Sequence, residues 1–243
     1  MNAASGGRLA VIAALPREVA ALVRGATPHR QAAPGVFLWS TPRAVIAAAG
    51  MGSERVTLAV EAALALGPVH TIMSVGLAGA CSAAAAVGSL LEVTEVVDVR
   101  TGERFSTAAG SRRITQAGAS RERNVVLVTA PAIASAREKA RLHASYGADA
   151  VDMEAATVAR LAEAHGIPFR ALKAISDDHT FELEHLGRFA TKHGHFHTRA
   201  FALHTAVRPH LWRGTMRLGR HSAHALKVLT TALEAEIANA VTE

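Results

Sequence analysis

Cysteine is almost absent from this chain of 243 residues: Cys81 is the one there is. No internal disulfide framework can form, which suits a reducing cytoplasm. No His or Asn motif accompanies Cys81, so it reads as a small residue packed near a glycine-rich stretch and not as a nucleophile. Aromatics make up only 4% of the residues, while 50% are hydrophobic. The core is therefore expected to be Ala, Val, Leu and Ile, and so much apolar surface excludes disorder for most of the chain. No apolar run approaches the roughly 18 residues of a membrane span. Met1 to Gly7 lacks the charged start and apolar stretch of a signal peptide. The expectation is a cytoplasmic protein. Acids are wholly missing from His185 to Leu233.

What is present is an alternation of apolar runs and helical patterns. Leu9 to Ala14 reads as a buried strand, and Pro16 suits the first turn of a helix to about Val23. Val36–Ser40 and Arg43–Ala49 read as paired strands. Gly50-Met-Gly52 reads as a turn into a helix over Ser53–Leu66, with Ser53 as N-cap. Val69–Val75 is expected as a strand ending in a loop, Gly76-Leu-Ala-Gly79. Further strands are expected over Gly88–Val97, Asn124–Thr129, Ala148–Val151 and Phe169–Ile175, and helices over Ser135–Tyr146 and Glu154–His165. Arg100–Arg123 reads as a polar surface excursion, and the chain from about 199 to 242 as a basic helical part interrupted at Pro209. The pattern implies one three-layer α/β domain over residues 1–243, with a mixed central sheet flanked by helices.

Ligands of open α/β sheets bind beyond the carboxyl ends of strands. Several acids fall at such ends: Glu18, Glu154 and Asp177. Each has an ordinary explanation when taken alone. Glu18 and Glu154 suit a helix start, and Asp177 suits a turn. Their convergence on one edge is what points to chemistry. Grouped carboxyl groups can protonate a leaving group, accept from substrate hydroxyls and take a proton from water.

Val151-Asp-Met-Glu-Ala-Ala-Thr-Val158 and Leu172-Lys-Ala-Ile-Ser-Asp-Asp178 resemble the signature of the purine nucleoside phosphorylase and methylthioadenosine/S-adenosylhomocysteine nucleosidase superfamily. The resemblance covers roughly Arg8 to Asp178 and implies a phosphorylase-like fold without cofactor or metal. It implies that Asp177 is the general acid for the base and that Ser176 orients it at the base pocket. Glu154 would bind the ribose 2′- and 3′-hydroxyls, with Met153 under the sugar. Glu18, in Ala14-Leu-Pro-Arg-Glu-Val-Ala-Ala-Leu22, matches the glutamate that activates water in the nucleosidase branch. Gly76 and Ala78 match the glycine loop beside that water. Thr129–Ile133, with Ala132 and Ile133, falls where the family builds its purine pocket, largely from main-chain groups.

This chain departs from the family pattern at several points. The usual arginine four residues before the acid is Lys173, which keeps the charge but loses the bidentate fork. Leu77 stands where many members carry serine, and Ser74-Val75 lacks the arginine of hexameric phosphorylases. Fewer donors for phosphate favour hydrolysis, with water held by Glu18; Lys173 and Arg17 keep phosphorolysis open as the alternative. Ala130-Pro-Ala-Ile133 has no aromatic to stack on the base. A third reading, from another class, is a nucleoside-binding protein without turnover. The substrate would be a small-molecule nucleoside, and the resemblance implies a homodimer.

The acid-free stretch carries Arg188, Lys192, Arg199, Arg208, Arg213, Arg217, Arg220 and Lys227. Arg213, Arg217, Arg220, His221 and His224 share one helical face, and Leu211, Leu218, Ala225 and Leu229 largely another, which makes a basic amphipathic helix. It reads either as a helix packed on the domain with a solvated face or as a peripheral contact with the inner membrane face. Phe201-Ala-Leu-His-Thr-Ala-Val-Arg-Pro-His-Leu-Trp212 and Thr101-Gly-Glu-Arg-Phe105 resemble the hopanoid-associated phosphorylase branch, which implies removal of adenine from adenosylhopane. Nucleic acid is not expected, because no aromatic platform accompanies the charge. His193-Gly-His-Phe-His197 has no local carboxylate to complete a metal site and reads as a loop.

Overall fold

The computed structural model describes residues 7–29, 33–108, 124–182 and 209–240. β1 (Arg8–Ala13) is buried along almost its whole length, so both its faces are covered. Its side chains divide with a period of two: Ala10 and Ile12 join one apolar cluster, Leu9, Val11 and Ala13 another. β2 (Phe37–Ser40) and β3 (Ala44–Ala48) form an antiparallel pair, and β3 lies parallel to β1. On its other side β1 pairs in parallel with the long β4 (Val69–Ala80).

β5 (Leu90–Val93), β6 (Glu95–Asp98), β7 (Arg104–Ser106), β8 (Val126–Thr129), β9 (Ala150–Asp152) and β10 (Phe169–Asp177) complete a mixed sheet of ten strands. β4 is its branch point. It holds β10 in parallel along its length and β9 antiparallel at its last residues. From β9 the sheet continues through β8 and β6 to β7, while β5 lies against β10.

Helices flank the sheet. α1 (Pro16–Val19) lies after β1, and α2 (Ser53–Ala65) packs Val56, Ala59, Val60 and Ala63 onto the cluster that contains Ala10 and Ile12. α3 (Ala136–Tyr146) sets Leu142 against Val126 and Val128. α4 (Ala155–Ala164) joins α2 on the first face. On the opposite face lies α5 (Pro209–Asn239), whose Ala225, Leu229 and Leu233 are fully buried. Arg170 of β10 binds Glu236 of α5 at 2.6 Å and Glu92 of β5 at 2.5 Å, which fastens the helix to the sheet. No described helix is long and apolar enough to cross a membrane.

Several expected boundaries differ. The first helix stops at Val19, not Val23. Gly52, not Ser53, is the N-cap of α2: its φ of +87° favours glycine, and its N–H donates to Glu154. The strand expected over Gly88–Val97 is two strands that change partner at Thr94, whose hydroxyl accepts the Val125 N–H at 2.8 Å. Gly76–Gly79 is no loop, because backbone pairing with β10 carries β4 on to Ala80. The excursion after Arg100 contributes β7 at the sheet edge, with Phe105 buried and Arg160 over its ring. The described part of α5 begins at Pro209, and the expected interruption there lies outside the described residues, because those just before it are not described. His193, His195, His197 and most of the hopanoid-like stretch lie outside the described residues.

Candidate active site

Gly79 decides the geometry. It pairs with Val151 of β9 on one side and with Asp177 of β10 on the other. The carboxyl ends of both strands are thereby held beside the same residue of β4. A Cβ at Gly79 would stand 2.9 Å from Asp177 Oδ2 and 3.1 Å from Lys139 Cε, so only glycine leaves this space. Next to it opens a cavity of about 470 Å³.

Four buried acids line this cavity, Glu18, Asp152, Glu154 and Asp177. Glu18 sits at the third position of α1. Its Oε2 accepts the Leu15 N–H at 2.8 Å, the capping contact expected of a first-turn acid. Its Oε1 also accepts the Leu77 N–H at 3.2 Å, across the sheet edge. Gly76 makes that approach possible: its φ is +140°, and a Cβ there would lie 3.0 Å from Glu18 Oε1.

Glu154 stands at the N-cap of α4. Its Oε1 accepts the Gly52 N–H at 2.8 Å and its Oε2 the Met153 N–H at 3.3 Å. Burial, reinforced by the neighbouring Asp152 carboxylate, pushes its pKa up to about 7, against the opposing pull of Lys173 and the Gly52 N–H. Asp152 is the deeper acid. It accepts the Thr129 hydroxyl at 2.7 Å and the Ala155 N–H at 3.0 Å, and it pairs with Lys173 at 2.9 Å. Lys173 also donates to Ser74 Oγ at 3.1 Å. Burial acts to lower the Lys173 pKa, but the carboxylates of Asp152 and Glu154 outweigh it and the net direction is up.

Asp177 ends β10 with both oxygens engaged. Ser176 Oγ lies 2.6 Å from Oδ1, and Lys139 Nζ forms an ion pair with Oδ2. Lys139 is 1% exposed; its Nζ also meets the Asp178 carbonyl at 2.9 Å. Much of the rest of the wall is apolar, with Arg17 and Ser222 as further polar members. Met51, Leu77, Ile133, Leu218 and Leu226 face the cavity, the last two from α5, and no aromatic lines it among the described residues. Such a space offers carboxyl oxygens within reach of hydroxyls, a small nucleophile or a leaving group.

Residues 8–207 match the phosphorylase superfamily. The chain belongs to that superfamily. Among solved structures, futalosine hydrolase of Helicobacter pylori strain 26695 superposes with a TM-score of 0.68 at 16% identity, covering 96% of this chain and 98% of that one. The 5′-methylthioadenosine/S-adenosylhomocysteine nucleosidase of the same organism, bound to butyl-thio-DADMe-Immucillin-A, gives 0.68 at 15% identity, with 96% and 98% covered. An MTAN variant from Chlamydia trachomatis gives 0.59 at 15%, with 97% and 100% covered. These likenesses establish the fold. No curated protein matches the sequence.

Of the residues singled out in the sequence, Glu18, Ala78, Ala132 and Ile133 line the cavity, and so do Met153, Glu154, Ser176 and Asp177. Gly76 lies behind Glu18, and Lys173 lies beneath Asp152 and Glu154 without lining the cavity. Sequence reasoning missed Lys139. Its signal was its place on the apolar stripe of α3, three residues before the buried Leu142. It also missed Gly52, read as a plain turn, and the contribution of α5.

The raised pKa of Glu154 makes stability depend on pH. A carboxyl whose folded pKa lies near 7, above its ordinary value of 4.5, contributes stability that is complete below pH 4.5 and lost as the pH rises through 7. The melting temperature of the wild type minus that of Glu154→Gln is therefore expected to fall between about pH 5 and pH 8. A difference that stays constant over this window would rule out proton uptake at Glu154.

Proposed function

We propose that this chain hydrolyses the N-glycosidic bond of an adenine nucleoside, of the methylthioadenosine/S-adenosylhomocysteine type. The observation that carries the reading is the convergence of Glu18, Glu154 and Asp177 on one cavity. In it Asp177 protonates the departing base, Glu154 accepts from the ribose hydroxyls over Met153, and Glu18 takes the proton of attacking water. Ala132 and Ile133, with Ser176, border the base, and the pocket's apolar wall suits an apolar 5′ substituent. Catalysis uses no cofactor and no metal.

Water is favoured over phosphate by the electrostatics. The fully ionic nucleophile would meet the buried Glu18 carboxylate. Lys173 is held by Asp152 outside the cavity, and Leu77 presents an apolar side chain. Arg17, exposed at the cavity, is the cation that phosphorolysis would draw on. Adenine release from methylthioadenosine is expected to proceed without phosphate, leaving free methylthioribose. Glu18→Gln is expected to slow it by roughly 100-fold or more. A strict phosphate requirement with a sugar 1-phosphate as product would establish phosphorolysis instead. Binding without turnover would establish a nucleoside-binding protein.

A lipid-linked adenosine such as adenosylhopane is the second substrate reading. It is supported by α5, where Arg217 and Arg220 are exposed beside the cavity-lining Leu218 and Gly219. Sedimentation with anionic liposomes at low salt tests that surface, and an unbound protein would remove the reading's membrane component. A homodimer belongs to the same proposal and is measured by light scattering.

A further inference from the structure

Asp177 is buried, so it can hand over a proton only as often as a neighbour or solvent returns one to it. Among the described residues its two oxygens face hydrogen donors, the Ser176 hydroxyl at 2.6 Å and the Lys139 ammonium. Ser176 Oγ can donate to Asp177 or to the Ala78 carbonyl 3.3 Å away, whereas an ammonium can only donate. The base leaves with an electron pair that must meet a proton. A group already in contact with Asp177 supplies it most directly, and a hydroxyl is too weak an acid for it. Lys139 is the remaining neighbour. It is buried, it lines the cavity, and its contacts with the carbonyls of Asp178 and Phe181 fix its Nζ at the end of β10.

We propose that Lys139 and Asp177 form a two-member acid, in which the proton that Asp177 hands to the departing base is supplied by the Lys139 ammonium. The inference rests on the reading of this site as an N-glycosidase. The bond between the sugar carbon and the base nitrogen breaks, and its electron pair goes to the base. One proton moves from Lys139 Nζ to Asp177 and from Asp177 to a base nitrogen, while water adds to the sugar carbon and its proton goes to Glu18. Exchange with solvent through the open cavity returns a proton to Lys139 and removes one from Glu18. The sum is nucleoside plus water giving free base and free sugar. Lys139 acts through Asp177 and is a positioning and proton-supplying residue, not one that touches the substrate. Gly79 is part of the device, since a Cβ there would crowd both Asp177 Oδ2 and Lys139 Cε.

The test compares leaving groups on one protein. Methylthioadenosine needs its base protonated, whereas 4-nitrophenyl β-D-ribofuranoside releases a phenolate that is stable without a proton. Lys139→Met is expected to lower kcat for methylthioadenosine about 100-fold, with KM little changed, and to spare the nitrophenyl substrate. The ratio of the two activities does not depend on how much of the sample is folded. Gly79→Ala, which keeps both charges and forces them apart, is expected to show the same split to a smaller degree. Equal loss on both substrates in both variants would make Lys139 a structural residue and overturn the proposal, as would full adenine release by Lys139→Met. A wild type that cleaves neither substrate would instead sink the N-glycosidase reading on which the inference rests.

Discussion

Asp177→Asn is expected to lower kcat for adenine release by roughly 10²–10⁴-fold, with a much smaller change in KM. Asparagine has nearly the same shape, so the Ser176 hydroxyl keeps an oxygen to meet and the cavity keeps its outline. What disappears is a group that can gain and lose a proton. The Lys139 ammonium also loses its ion-pair partner, although the Asp178 carbonyl at 2.9 Å remains. A melting curve separates this effect from chemistry, because a moderate drop in Tm with intact folding at the assay temperature cannot account for a loss of this size. Steady-state kinetics on methylthioadenosine decides it. Turnover within about threefold of the wild type would remove Asp177 from the role of acid.

Lys173→Met is expected to cost about 3–5 kcal/mol of stability. The side chain is 1% exposed and is paired with Asp152 at 2.9 Å. Removing the ammonium leaves the Asp152 carboxylate in a place where water cannot replace the missing partner. The Thr129 hydroxyl and the Ala155 N–H remain, but neither carries a full charge. Glu154 is affected as well, because Lys173 is one of the groups that hold its pKa down. Urea unfolding at pH 7 measures the loss. Adding Asp152→Asn to Lys173→Met is expected to recover part of it, since the second change removes the stranded charge. A single-variant loss under about 1 kcal/mol, within the range of exposed ion pairs, would show that water reaches the pair.

The main elements of this fold were legible because their signals are local. The apolar run of β1 and the periodic burial of α4 follow from neighbouring residues alone. So do the positions of Glu18, Glu154 and Asp177, each lying at or just beyond the end of an element. That placement was enough to suggest a site with an acid, a sugar acceptor and a water base. Boundaries were less legible where pairing decided them. Gly76–Gly79 looks like a loop by composition, but its backbone groups are paired with β10, and a strand results.

What the sequence by itself determined is the α/β alternation, the burial of both faces of the central strands and the three acids at the carboxyl ends. Only the tertiary structure decided their partners. Lys139 meets Asp177 across 38 positions of the chain, and the Gly52 N–H meets Glu154 across 102. It also decided that Lys173 serves Asp152 beneath the cavity, and that one face of a basic helix closes the cavity wall with Leu218 and Leu226. The physical reason is the same in each case. Periodicity and capping act over a few residues, whereas a buried charge finds its partner only when the sheet has brought distant segments within a few ångströms.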